Sequence, residues 1–240
     1  MTRGSIFSNL RQSFDYRYFH AKAYKGEHTC GIARQVAAKL VAQKTIGKFY
    51  QYEWISTLHL YKDNPSALGF QVELICLSFI ADVGIDYGGV TIRPMTPTWF
   101  PGDLDDLLEI IPIAIESFSR LYFPLKYQFQ DIDAAYVEYD ADSNTLTVIP
   151  IQVTISKRHK DSEAPFYHKW SKWVKKFSHY NLTTTFLWII ENDLSWRTIK
   201  EQNMKTRNTL YEMPQHKQAS ITALKLHEPL GKELVRIRTG

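Results

Sequence analysis

Only Cys30 and Cys76 supply thiols in 240 residues, so no disulfide framework can carry this fold, and a reducing compartment is the default. No run of 18 or more apolar residues occurs, so no segment reads as a membrane-spanning helix. The opening MTRGSIFSNLRQSFDYRYFH lacks the apolar core of a secretion signal. P-loop, GxGxxG, GxSxG and CxxC signatures are all missing. Their absence removes the usual nucleotide-binding, serine-hydrolase and dithiol classes from consideration. Repeats and low-complexity stretches are missing too.

What is present is a large apolar fraction, 44% hydrophobic and 14% aromatic, enough for one substantial core or two small ones. The net charge of +4 is small, but it is unevenly placed. Residues 151–180 hold seven Lys or Arg against two acids, a local charge of +5, so the remainder sums to −1. A local basic face is the footprint of a polyanion partner. A solvated helix face has the same composition.

The chain is organised around residues 130–160, QDIDAAYVEYDADSNTLTVIPIQVTISKRHK. Residues 134–139 read as a short strand. Residues 140–144 (DADSN) are turn chemistry, because Asp, Asn and Ser side chains bond their own backbone. Residues 145–156 are β-branched and apolar, a second strand packed on at least one face. Asp133 and Gln152, 19 positions apart, are brought side by side by such a hairpin. Lys157, Arg158, His159 and Lys160 come directly after the second strand.

The flanks supply the layers. Residues 30–44 form a helix striped by Ile32, Val36 and Leu40. Residues 1–28 read as an arm or short helix, which makes residues 1–44 a largely helical N-terminal extension. Residues 49–61, rich in Tyr, Trp and Ile, read as a strand. Residues 62–66 form a turn able to cap the next segment. That segment, residues 67–81, is apolar nearly all round, a buried helix or a buried strand, with Glu73 as the single charge. A lone acid there needs a partner, because burying an unpaired carboxylate is costly. Glycine-rich residues 84–93 break the segment, and residues 94–101 form a loop.

Residues 103–120 carry a helical stripe of Leu104, Leu107, Leu108, Ile111, Ile115 and Phe118, with Asp103, Asp105 and Asp106 at its N-terminus. Residues 162–177 form a helix burying Phe166, Trp170, Trp173, Val174 and Phe177. Lys169, Lys172, Lys175 and Lys176 lie on its other faces, and Pro165 sits in the first turn. Residues 182–191 are a strong strand, residues 195–205 a possible helix, and residues 220–226 a further strand. The tail from Leu234 is short and basic.

Two carboxylates, Glu73 and Asp133, with the amide of Gln152 make a hard oxygen set of the kind Mg²⁺ takes. Asp133 capping a turn and Gln152 bonding a neighbouring strand explain the same residues. The basic cluster suits phosphate, or a cation beside a scissile bond. A zinc reading of His28 and Cys30 finds no second ligand pair. The aromatic residues offer base-stacking surfaces, although Trp170 and Trp173 at helical spacing belong to a core.

Three pieces carry a resemblance. Ser66-Ala-Leu-Gly-Phe-Gln-Val-Glu73 resembles a helix entry ending in an acid. Gln130-Asp-Ile-Asp133 resembles an acid opening a hairpin strand. Ile151-Gln-Val-Thr-Ile-Ser-Lys-Arg-His159 resembles a Gln-apolar-Thr-x-Ser-x-x-His strand. Together, over roughly residues 66–191, they are similar to the C-terminal domain of Crinkler and retrotransposon-hot-spot effector proteins. That domain is similar in turn to PD-(D/E)xK nucleases. The resemblance implies an α/β, restriction-endonuclease-like core, a mixed sheet flanked by helices, over residues 45–240. It implies Mg²⁺-dependent cleavage of DNA, with Glu73 and Asp133 on the metal, Gln152 at the D/E position, and Lys157 or His159, or Lys175 or Lys176 of the following helix, supplying the cation. It implies DNA contact through Lys157, Arg158, Lys160, Lys169, Lys172, Lys175 and Lys176. It also implies a nuclear location, with the cytoplasm as the alternative. Ile132 replaces the proline of the pattern, and Thr154 stands where the lysine belongs. A nucleic-acid-binding domain without catalysis, or a module that binds a host or partner protein, are the competing readings.

Overall fold

The computed structural model describes residues 19–22, 25–28, 50–125, 132–155, 163–193, 195, 197 and 214–239. Near the N-terminus, β1 (Phe19–Lys22) and β2 (Lys25–His28) pair antiparallel, in place of the expected arm or short helix. The helix read over residues 30–44 and the helix suggested near residues 195–205 fall largely or wholly outside the described residues.

The main body is a six-stranded mixed sheet of β5 (Thr98–Phe100), β6 (Phe118–Pro124), β7 (Ala134–Asp140), β8 (Thr145–Thr154), β9 (Asn181–Ile190) and β10 (Lys217–Thr222). The spatial order is β10-β9-β8-β7-β6-β5. Strands β6, β7 and β8 form an antiparallel meander. Strands β9 and β10 add to it in parallel with β8, and β5 adds in parallel with β6. The 140–144 turn joins β7 to β8 as its composition predicts. Asn144 adopts φ 48° there, and Asp140 accepts from Ser143 Oγ at 2.6 Å.

Helices cover both faces. On one face lie α1 (Tyr52–Ile55) with the 3-10 helix Ser56–Tyr61, α2 (Pro65–Val83), α6 (Ala223–Leu226) and α7 (Glu228–Thr239). Ile55, Leu58, Val72, Ile75, Cys76, Leu230 and Leu234 pack there on Ile149, Ile151, Val153, Leu187 and Ile189. On the other face lie α3 (Leu104–Ile110), α4 (Glu163–His168) and α5 (Trp170–Lys176). Leu107, Phe166, Trp170, Trp173 and Phe177 pack there on Leu146, Val148, Phe186, Trp188 and Ile190. Burying one large apolar side chain of this kind contributes about 1.5–3 kcal/mol.

Helix α2 settles the helix-or-strand question of residues 67–81. Asn64 Oδ1 accepts the Ala67 N–H at 3.1 Å, and Pro65 takes the first helical position, as the 62–66 turn predicts. The helix stops at Gly84, whose φ of 86° excludes a side chain at low cost. The glycine-rich break continues as a hairpin of β3 (Ile85–Tyr87) and β4 (Val90–Ile92).

Four expectations are corrected. Residues 52–61 are helical, not a strand. Trp54, Ile55 and Leu58 are buried at helical spacing, while Tyr52 and Leu60 face solvent. The 103–120 helix ends at Ile110. Pro112 disfavours the helical region for the residue before it, and Ile111 sits at φ −74°, ψ 121°. Ile115 is therefore 92% exposed rather than buried, and Phe118 opens β6. The 162–177 helix breaks at Lys169 into α4 and α5, and Val174 is half exposed. The last strand runs Lys217–Thr222, after which Thr222 Oγ1 accepts from Lys225 N at 3.2 Å and opens α6; the basic tail is part of α7.

Glu163, at the start of α4, is 1% exposed. A buried carboxylate is tolerated only when its oxygens are bonded. Trp188 Nε1 donates at 2.6 Å, Gln218 Nε2 reaches both oxygens at 2.7 Å, and His216 Nε2 lies at 3.2 Å. One side chain thus clasps α4 to β9 and to the chain entering β10.

Two glycines give opposite expectations. A Cβ on Gly231 would collide with the backbone and Cβ of Leu224, where α6 meets α7. Gly231→Ala should lower stability by about 1–3 kcal/mol through overpacking. A Cβ on Gly69, inside α2, meets nothing within 4 Å, so Gly69→Ala should raise stability by about 0.5–1 kcal/mol. Urea denaturation midpoints of the two variants measure both shifts.

Candidate functional site

The hairpin does bring Asp133 and Gln152 together. Strand β7 starts at Ala134 and pairs Ala134 with Ile151. One residue earlier, the Asp133 N–H donates to the Ile151 carbonyl at 2.8 Å, which extends the ladder past the strand. The Asp133 carboxylate turns back onto β8. Its Oδ2 accepts from the Val153 N–H at 2.7 Å and from Gln152 Nε2 at 2.6 Å. Gln152 is 8% exposed. Its amide nitrogen is spent on Asp133, so its carbonyl oxygen is turned away from that carboxylate.

Glu73 comes from the middle of α2 and is half-buried. Cys76, one turn further along, is fully buried in the α2 face of the core. Burial pushes the Cys76 thiol up, and the charges of Glu73 and Asp133 push it further in the same direction. Both carboxylates therefore act on one thiol, which keeps it protonated and non-nucleophilic.

Thr154, at the position of the expected lysine, is 5% exposed. Alternation along β8 puts Ile151, Val153 and Ile155 on the α2 side. Gln152 and Thr154 alternate to the α4–α5 side, opposite Trp188 and Ile190 of β9. A longer cationic residue at 154 would point away from Glu73. The Lys157, Arg158, His159 and Lys160 cluster lies outside the described residues.

The lysines of α5 divide. Lys172 Nζ bonds both oxygens of Asp105 at 2.6 and 2.7 Å. Lys176 Nζ donates to the Leu108 carbonyl, and burial draws its ammonium pKa down. These two tie α5 to α3. Lys175 is exposed and Lys169 half-buried. Of the basic face read from sequence, part is consumed in packing.

Mg²⁺ takes hard oxygen donors, often one or two carboxylates completed by water and phosphate. The carboxylates of Glu73 and Asp133 are donors of that kind. Among the described residues, no three His, Cys, Asp or Glu side chains are grouped to hold a metal ion. No described helix is long and apolar enough to cross a membrane.

Removing the Asp133 carboxylate orphans a buried N–H and an amide. Asp133→Ala should therefore cost about 1–3 kcal/mol of stability. Asp133→Asn, which keeps an accepting oxygen, should cost less than half of that. Chemical denaturation of the two variants beside wild type measures the difference. Compared with family models, with curated proteins and with solved structures, the chain matches none, so the chemistry of this site is read from its own residues.

Proposed function

We propose that this chain is a restriction-endonuclease-like domain that hydrolyses phosphodiester bonds of DNA at Glu73, Asp133 and Gln152. The observation that carries the reading is the 2.6 Å bond between Asp133 and Gln152 at the end of β8. Glu73 of α2 acts on the same buried thiol as Asp133. A six-stranded mixed sheet flanked by helices supports the fold part of the reading.

Glu73 and Asp133 would hold Mg²⁺, with Gln152 orienting the Asp133 carboxylate through its amide nitrogen. The bound ion would lower the pKa of a water and stabilise charge developing on the phosphorus. The protein's own part is positional. Asp133 is held by two N–H donors, so its carboxylate is oriented before substrate arrives. Gln152 is held by the same bond. Lys157 and His159 come after β8 in the chain and are the candidates for a cation beside the scissile phosphate.

The buried Thr154 favours a second reading, a DNA-binding domain of the same fold without catalysis. A third, a protein-binding module, has a surface of its own. Tyr180 Oη bonds both the N–H and the carbonyl of Ala114 at 2.9 Å, which leaves Ile113 and Ile115 presented outward at 65% and 92% exposure.

Nicking of supercoiled plasmid separates these readings. The nuclease reading expects cleavage with Mg²⁺ or Mn²⁺, none with EDTA, and a loss of about a hundredfold or more in both Asp133→Asn and Glu73→Gln. Cleavage that is absent in every divalent metal, with DNA affinity that falls steeply with salt, selects the binding reading. A protein complex that survives high salt, without DNA affinity, selects the third.

A further inference from the structure

A guanidinium closes the same end of β8 from the α2 side. Arg238, in the last turn of α7, donates through Nη2 to the Ile155 carbonyl at 3.0 Å. Its Nε and Nη2 reach the two oxygens of Glu191, just past β9, at 2.9 and 3.3 Å. A guanidinium has five N–H donors in a rigid planar fork. Those on Nε and Nη2 are committed to Ile155 and Glu191. The pair on Nη1 bonds nothing among the described residues. The side chain is 45% exposed, while Glu191 is 9% exposed. Arg238 is thus held through Nε and Nη2, and its side chain is partly exposed.

Its position is informative. Ile155 comes directly after Thr154, and Val153 bonds Asp133. At about 3.3 Å per residue, the path along β8 from the Val153 N–H to the Ile155 carbonyl spans on the order of 9 Å. A single nucleic-acid strand rises about 3.4 Å per nucleotide, so that span covers a few nucleotide steps. Arg238 also lies on the face of α2 and α7, the face that carries Glu73, whereas Thr154 alternates to the other side. The cation missing from β8 has a counterpart on this face.

We propose that Arg238 is a positioning residue that grips a backbone phosphate flanking the one held at Asp133, with Glu191 and the Ile155 carbonyl orienting its fork. The inference rests on the reading of the Glu73–Asp133–Gln152 site as one that takes DNA. A structural duty alone, complementing the C-terminal end of α7 and bridging it to β9, accounts for the bonds to Glu191 and Ile155. It does not use the Nη1 pair, which bonds nothing among the described residues.

The test is the salt dependence of binding to a 20-base-pair duplex in EDTA, which needs no catalysis. One phosphate contact contributes about 0.9 to the slope of log K against log salt. Arg238→Gln should lower that slope by about one unit, and Arg238→Lys should restore most of it. The double variant Arg238→Gln with Glu191→Gln removes both charges together and should match Arg238→Gln, which covers a single variant too unstable to measure. Binding with an unchanged slope in Arg238→Gln or in the double variant overturns the inference and leaves the nuclease reading to the plasmid assay. Wild type that binds no duplex overturns both.

Discussion

The carboxylate of Asp133 is the interaction on which the rest of the site depends. Strand β8 is central: it pairs antiparallel with β7 and parallel with β9. Where β7 begins, the backbone N–H of Val153 loses its partner strand. Asp133 Oδ2 accepts that N–H and the Gln152 amide at once. A buried donor left unmade costs about 1–3 kcal/mol, so the geometry is enforced by folding itself. The result is an acid and an amide locked to each other at the end of β8.

The two faces of the sheet then take different roles. The α4–α5 side is an aromatic core, pinned by the fully bonded carboxylate of Glu163. Its lysines partly serve that packing, since Lys172 and Lys176 hold α3 in place. On the α2–α7 side, Arg238 of α7 bonds the Ile155 carbonyl just past the end of β8. Charge counted along the chain points to the first side. The positioned, partly uncommitted cation belongs to the second.

Local patterns are legible where the physics is local. The 140–144 turn and the two strands around it arise from side chains that bond their own backbone and from β-branched runs. The cap at Asn64 and the buried stripe of Phe166, Trp170, Trp173 and Phe177 are equally local. Asp133 and Gln152 can be paired from sequence because a hairpin relates them directly. Errors arise where one local signal hides another. Aromatic content in residues 49–61 mimics a strand although its burial repeats at helical spacing. The apolar stripe running through Ile111 and Ile115 masks the stop imposed by Pro112.

The sequence by itself determined the hairpin, the acid in an apolar helix and the pairing of Asp133 with Gln152, because each depends on neighbours within one or two elements. Only the tertiary structure decided which face of β8 meets α2, that Thr154 points away from Glu73, and that Lys172 and Lys176 are occupied. It alone joins Arg238 to Ile155 across 83 positions and Glu163 to His216 across 53. Those contacts depend on the parallel β8-β9-β10 crossovers. A crossover places a strand by packing its helices on a whole sheet, and no pattern within the strand records that choice.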